Sequence, residues 1–176
     1  MNGQDTKIAD VVMTVYFFKE SGEFEIGGEH TKVRAGSVKF CIELGDFTFG
    51  ADGKFVSVAI SVKAPGNNKL SKANKKDGED TDVYSLGEGT DLKMSKKVQI
   101  NGTWEDMPAG FPKLEQAGSK DLLKCRFPKF TDKARYDPTI ELGVEEVRAL
   151  AEGRGAALFY SVGTMIFALS LWILNI

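Results

Sequence analysis

A chain of 176 residues with 23 basic and 25 acidic side chains, formal net charge -2, has no broad electrostatic footprint for nucleic acid or acidic lipid. Without its apolar C-terminal tail and the short juxtamembrane stretch before it, the chain leaves about 140 residues, the usual size of one domain with one core. Nineteen glycines and twelve phenylalanines, with valine and threonine recurring between turn-forming residues, favour a β-rich fold.

The opening MNGQDTKIADVV is polar and lacks the basic start, apolar middle and small-residue cleavage site of a secretory leader. Asn2 in place of glycine excludes myristoylation. The first strand-like runs are residues 10–18 and 23–26, followed by the turn-like Gly27-Gly28-Glu29-His30. His30 is the one histidine and reads there as an exposed polar residue.

Residues 37–44 alternate with period two, placing Val38, Phe40, Ile42 and Leu44 on one face. Residues 54–63 do the same with Val56, Val58, Ile60 and Val62. Between them Asp52-Gly53 is a two-residue hairpin signal, which predicts that these two runs pair antiparallel. The stretch 64–82 (APGNNKLSKANKKDGEDTD) is polar and reads as a long mobile loop. Further runs follow at 83–86, at 91–100, turned by Asn101-Gly102 towards Thr103-Trp104, and at 121–127. The proline-bearing segments 105–112 and 127–138 read as covers over an edge or an end of the sheets.

These features predict an all-β protein: an antiparallel β-sandwich of about seven to eight strands over residues 1–142, followed by a single C-terminal hydrophobic helix. Residues 143–155 read as a juxtamembrane helix or linker. Residues 156–176 (AALFYSVGTMIFALSLWILNI) carry no charge, and as a helix they extend roughly 30 Å, the thickness of a bilayer core. They predict a transmembrane helix or an anchor signal in contact with membrane lipid.

No catalytic constellation emerges. His30 has no supporting motif for a Ser-His-Asp or Cys-His system, and two scattered cysteines with one histidine make a weak zinc set. Asp77, Glu79, Asp80 and Asp82 crowd one loop as weak calcium candidates, without the spacing of an EF-hand. Gly87-Glu88-Gly89-Thr90 lacks the third glycine and following helix of a phosphate cradle. The carboxylate neighbours Glu105/Asp106 and Glu145/Glu146 diverge on a strand or a helix. The chain is therefore expected to be no enzyme and to hold no cofactor.

Two features concern compartment. Asn101-Gly102-Thr103 is an N-glycosylation sequon, although Asn-Gly is equally what a type I′ hairpin demands. Cys41 and Cys125 either bridge, closing a loop worth ~4 kcal/mol in the chain-entropy picture, or stay as free thiols. Alternation sets Cys125 inward with Leu123 and Phe127, and Cys41 on the face opposite the core set. Arg148 and Arg154 precede the apolar tail and no basic residue follows it. That leaves a cytosol-facing tail anchor, or a surface domain whose tail is exchanged for a glycolipid.

Residues 37–65, with Trp104 to Pro112, Phe127 to Phe130 and Tyr136 to Ile140, resemble uncharacterised surface or skeletal organic matrix proteins of cnidarians, over about residues 35–142. The resemblance implies a secreted or surface-attached β domain with a structural or adhesive role. The preferred expectation is accordingly a non-enzymatic, membrane-attached surface or matrix protein that contacts protein or carbohydrate. The alternatives are a cytosol-facing tail-anchored adaptor and a carbohydrate-active enzyme.

Overall fold

In the computed structural model, residues 9–62, 70–76, 81–87, 89–117, 120–141 and 174–175 are described. Their strands are, in chain order, β1 (Asp10–Phe17), β2 (Gly22–Ile26), β3 (Glu29–Val33), β4 (Val38–Gly45), β5 (Phe55–Val62), β6 (Ser71–Lys76) and β7 (Thr81–Gly87). There follow β8 (Thr90–Ser95), β9 (Lys97–Ile100), β10 (Thr103–Asp106), β11 (Lys113–Ala117), β12 (Lys120–Pro128), β13 (Lys133–Tyr136), β14 (Thr139–Glu141) and β15 (Leu174–Asn175).

Every pairing is antiparallel, in three sheets. The alternating run that becomes β4 is central to the largest. Along one side it pairs with β1, from Asp10 opposite Gly45 to Phe17 opposite Val38. Along its other side β13 and β14 follow one another in a single register line, from Lys133 opposite Gly45 to Ile140 opposite Val38. Pro138 sits at the break between them, where its carbonyl still accepts from the Phe40 amide and its missing N–H costs no ladder bond. Beyond lie β9 and β8, then β10 and β7, with β6 outside β7. The smaller sheet runs β11-β12-β5-β15, and β2 with β3 makes a separate hairpin.

The inward residues of both larger sheets belong to one apolar cluster. It includes Val38, Phe40 and Leu44 of β4, Met94 of β8 and Tyr136 of β13, together with Val56, Val58, Leu123, Cys125 and Phe127 of β5 and β12. The Phe127 and Tyr136 rings meet edge to face at 6.4 Å and 84°. The antiparallel β expectation therefore holds, and so does the glycine logic of the turn at 101–102, where Asn101 and Gly102 both take positive φ (49° and 88°).

Several expectations are corrected. The predicted transmembrane helix is overturned: among the described residues no helix is long and apolar enough to cross a membrane. The end of that segment, β15, is instead a strand against β5, with Leu174 opposite Ser57 and Asn175 opposite Val56. An apolar run without a polar period fits a sheet as well as lipid, so composition alone does not select a membrane helix. The remainder of 156–176 and the linker 143–155 lie outside the described residues. Nor do β4 and β5 pair with each other. Their apolar faces look across the core from different sheets, and the connection between them lodges Phe47 in that core against Phe49 and Phe130. Within the stretch read as a loop, residues 71–76 form β6 against β7, and Thr81 and Asp82 begin β7. The segment read as a proline-broken cover contains β13, an interior strand.

Candidate functional site

Alternation that turns Phe40 and Tyr136 inward turns their neighbours to the opposite face of the large sheet. There Ser37, Lys39 and Cys41 lie beside Arg135, Asp137, Thr139 and Glu141, with Lys93 and Ser95 of β8 in the next row. A sheet covered on one side only leaves such residues in water. Here most are buried, Asp137 to 2% and Thr139 to 3% exposure.

The cover is the β2–β3 hairpin. Its turn, Gly27-Gly28, takes φ of 64° and 78°, and a side chain at Gly28 would put its Cβ 2.5 Å from the Trp104 ring. Glycine is thus required both by the backbone and by the close approach to β10. Beside it, Glu29 accepts from Lys97 Nζ at 2.9 Å, and any Cβ at Gly27 would press on Ser95.

Under this roof the charges are matched. Asp137 accepts from Lys39 Nζ at 2.8 Å and from Arg135 through Nε and Nη2, each at 3.0 Å. Lys93 Nζ lies 2.9 Å from Glu141. The bidentate bond to Asp137 holds the Arg135 guanidinium above its ordinary pKa. From the core side, the buried Tyr136 hydroxyl donates to the Ser95 carbonyl at 3.0 Å.

Hairpin and sheet enclose a cavity of about 350 Å³, whose lining includes Glu23, Glu29, His30, Lys93, Asp137 and Thr139. Thr139 Oγ1 in that lining is fully buried and makes no hydrogen bond, and Ser37 Oγ is in the same condition. A second hollow, about 730 Å³, lies by Asp82, Tyr84, Lys96, Phe111 and Lys113. Neither of the two unpartnered hydroxyls lines it.

The residues singled out from sequence are scattered. His30 is exposed on β3 opposite Glu25. Asp82 is engaged by Lys72 at 2.8 Å and Lys96 at 3.8 Å, while Asp77, Glu79 and Asp80 lie outside the described residues. Among the described residues no three His, Cys, Asp or Glu side chains gather to hold a metal. Asn101 is exposed at the β9–β10 turn, and its Oδ1 accepts from the Thr131 and Asp132 amides. Lys39, Lys93, Asp137 and Thr139 were missed because outward parity reads as solvent exposure. The available signal was the Gly-Gly turn flanked by Ile26 and Val33, both buried.

Cys41 and Cys125 are free and buried, so the bridge weighed from sequence is not formed. Burial, followed by the charge of Asp137, pushes the Cys41 thiol up to about 11, and burial raises Cys125 further. Tyr84 is pushed up to about 12, chiefly by burial. In the unfolded chain these groups ionise from about pH 9 upwards, so between there and their folded values the unfolded state binds fewer protons. Their contribution is intact below pH 9 and lost as pH rises. The unfolding midpoint in urea is expected to hold from pH 7 to 8.5 and fall steadily from pH 9 to 11; a flat profile would contradict this burial.

Fold and cleft together describe an antiparallel β-protein with a polar cleft beneath a hairpin. The chain belongs to the acidic skeletal organic matrix protein family, whose model matches residues 4–176. It is accordingly a non-enzymatic, extracellular β-protein of skeletal-matrix type, as the resemblance read from sequence implied. Its own acidic surplus is only two charges, so its surface cannot act simply as a polyanion.

Proposed function

We propose that this matrix protein acts as a binding module, holding a neutral, hydroxyl-rich segment of a matrix glycan in the cleft beneath the β2–β3 hairpin. The observation that carries the reading is Thr139, which lines the cavity and whose Oγ1 is buried without a partner, so that rotation of the side chain is what brings the hydroxyl to a ligand. An unpaired buried hydroxyl costs about 1–3 kcal/mol, and a ligand hydroxyl that both donates and accepts removes that cost. The ion pairs favour an uncharged ligand. Asp137 is matched by Lys39 and Arg135, Lys93 by Glu141 and Glu29 by Lys97, so on the sheet side a charged ligand would displace a formed pair while a sugar hydroxyl displaces none; Glu23 and Lys32, opposite one another on the hairpin, offer further groups to which hydroxyls can bond. The cavity volume suits one or two sugar units. Asn101 at the β9–β10 turn is the proposed attachment point of the protein's own glycan, its side-chain nitrogen taking the sugar while Oδ1 keeps the loop amides.

Calorimetric titration with neutral hexose and N-acetylhexosamine oligomers tests the cleft. Thr139→Val keeps the shape and removes the hydroxyl. Binding is expected to weaken about tenfold, roughly 1.4 kcal/mol, while the thermal midpoint stays level or rises because an unpaired polar atom has gone. Absence of binding by any neutral oligomer, or equal binding by the valine variant, refutes the reading.

A further inference from the structure

The edges of the three sheets are not alike. β10 carries Glu105 and Asp106, β6 is SKANKK, β11 carries Lys113 and Glu115, and both strands of the β2–β3 hairpin carry charges. Charged side chains on an edge deter pairing with another chain. β1 has no such guard: DVVMTVYF is eight residues long, with its single charge at one end and no proline. Its ladder to β4 runs through eight consecutive pairs without a bulge. Among the described residues β4 is its only neighbour in the sheet.

Both faces of this strand are apolar and accessible. Val12 and Tyr16 share the face of Lys39 and Glu43, whereas Val11 and Val15 share that of Leu44 and Phe40. All four are between 38% and 54% exposed. A monomer leaves such an edge open to strand addition.

We infer that β1 is the self-association edge of this protein, pairing antiparallel with β1 of a second copy so that the large sheet continues from one chain into the next. The strand's own composition selects this occupant. A two-fold axis normal to the sheet keeps each face on its own side, so residues of like parity meet. With Thr14 opposite Thr14, Val12 meets Tyr16 and Met13 meets Val15, the β-branched and aromatic pairings that stabilise antiparallel ladders. Nowhere between residues 11 and 17 does a charge face a charge. The other described edges, apart from the two-residue β15, place carboxylates or lysines along any strand laid against them, so β1 is the complement that β1 fits best.

Sedimentation equilibrium on the full chain, with and without the double substitution Val12→Lys and Val15→Lys, tests this. The native chain is expected to give the mass of two copies at micromolar concentration. The variant is expected to give one copy, or a dissociation constant weakened at least a hundredfold, with an unchanged circular dichroism spectrum because both sites are exposed. Thr14→Cys in a Cys41→Ser background then tests the register: mild oxidation should link two copies through position 14, because Cys41, which stands directly opposite Thr14 in the ladder and would capture the new thiol, is gone and Cys125 is buried. A native chain that stays monomeric to high concentration overturns the inference. So does association that persists undiminished in the lysine variant, which would place it elsewhere in the chain.

Discussion

Phe127→Ala is expected to lower the unfolding free energy by about 3–5 kcal/mol, the usual cost of emptying a large aromatic site in a core. Phe127 has no exposed surface, lies in β12 opposite Val56, and reaches across the core to the Tyr136 ring. Little around it is free to collapse into the space. Val56 and Tyr136 are held in ladders, and the Tyr136 hydroxyl is fixed on the Ser95 carbonyl. Urea titration followed by far-ultraviolet circular dichroism should show the midpoint falling at unchanged slope. A loss below 1 kcal/mol would mean that the two sheets do not share this core.

The second large effect is expected at Asp137→Asn, at about 3–5 kcal/mol from breaking a buried ion pair. The substitution keeps shape and removes charge, leaving Lys39 and Arg135 facing a neutral amide beneath the hairpin. Lys39 is itself buried, so water does not easily replace the lost carboxylate. Two controls separate this from a surface effect. The loss should persist in 1 M salt, because screening acts weakly on a buried group. Adding Lys39→Met to Asp137→Asn should recover part of it, since one uncompensated cation is then gone. If the asparagine chain is as stable as the native one, the network carries no weight in holding the roof over the sheet.

Both effects involve residues that differ in how readily the sequence discloses them. Phe127 lies in an alternating run with Leu123 and Cys125, and its inward placement follows from period two alone. Asp137 lies next to Pro138 in a segment whose prolines suggest an irregular cover. It falls between β13 and β14, each too short to show a period and recognised only through the strands it pairs with. The polar cleft was hidden for a related reason. Parity separates two faces but does not tell that a hairpin from elsewhere covers the outward one, and β2 and β3 are charged enough to pass for surface. The pairing of β4 with β5 failed differently. Asp52-Gly53 does lie in a turn, where the Gly53 amide donates to the Gly50 carbonyl, but a turn fixes a local reversal and not membership of one sheet. β6 had no apolar alternation to announce it and exists by hydrogen bonding to β7.

The two thiols give the molecule a pair of internal clocks. Cys41 lies on the polar side of the large sheet beside Asp137, and Cys125 lies in the apolar cluster between the sheets. A thiol reagent reaches the first when the polar face of the sheet opens locally, and the second only when the sheets part. The ratio of their labelling rates therefore separates the free energy of a local opening from that of global unfolding within one unmodified chain.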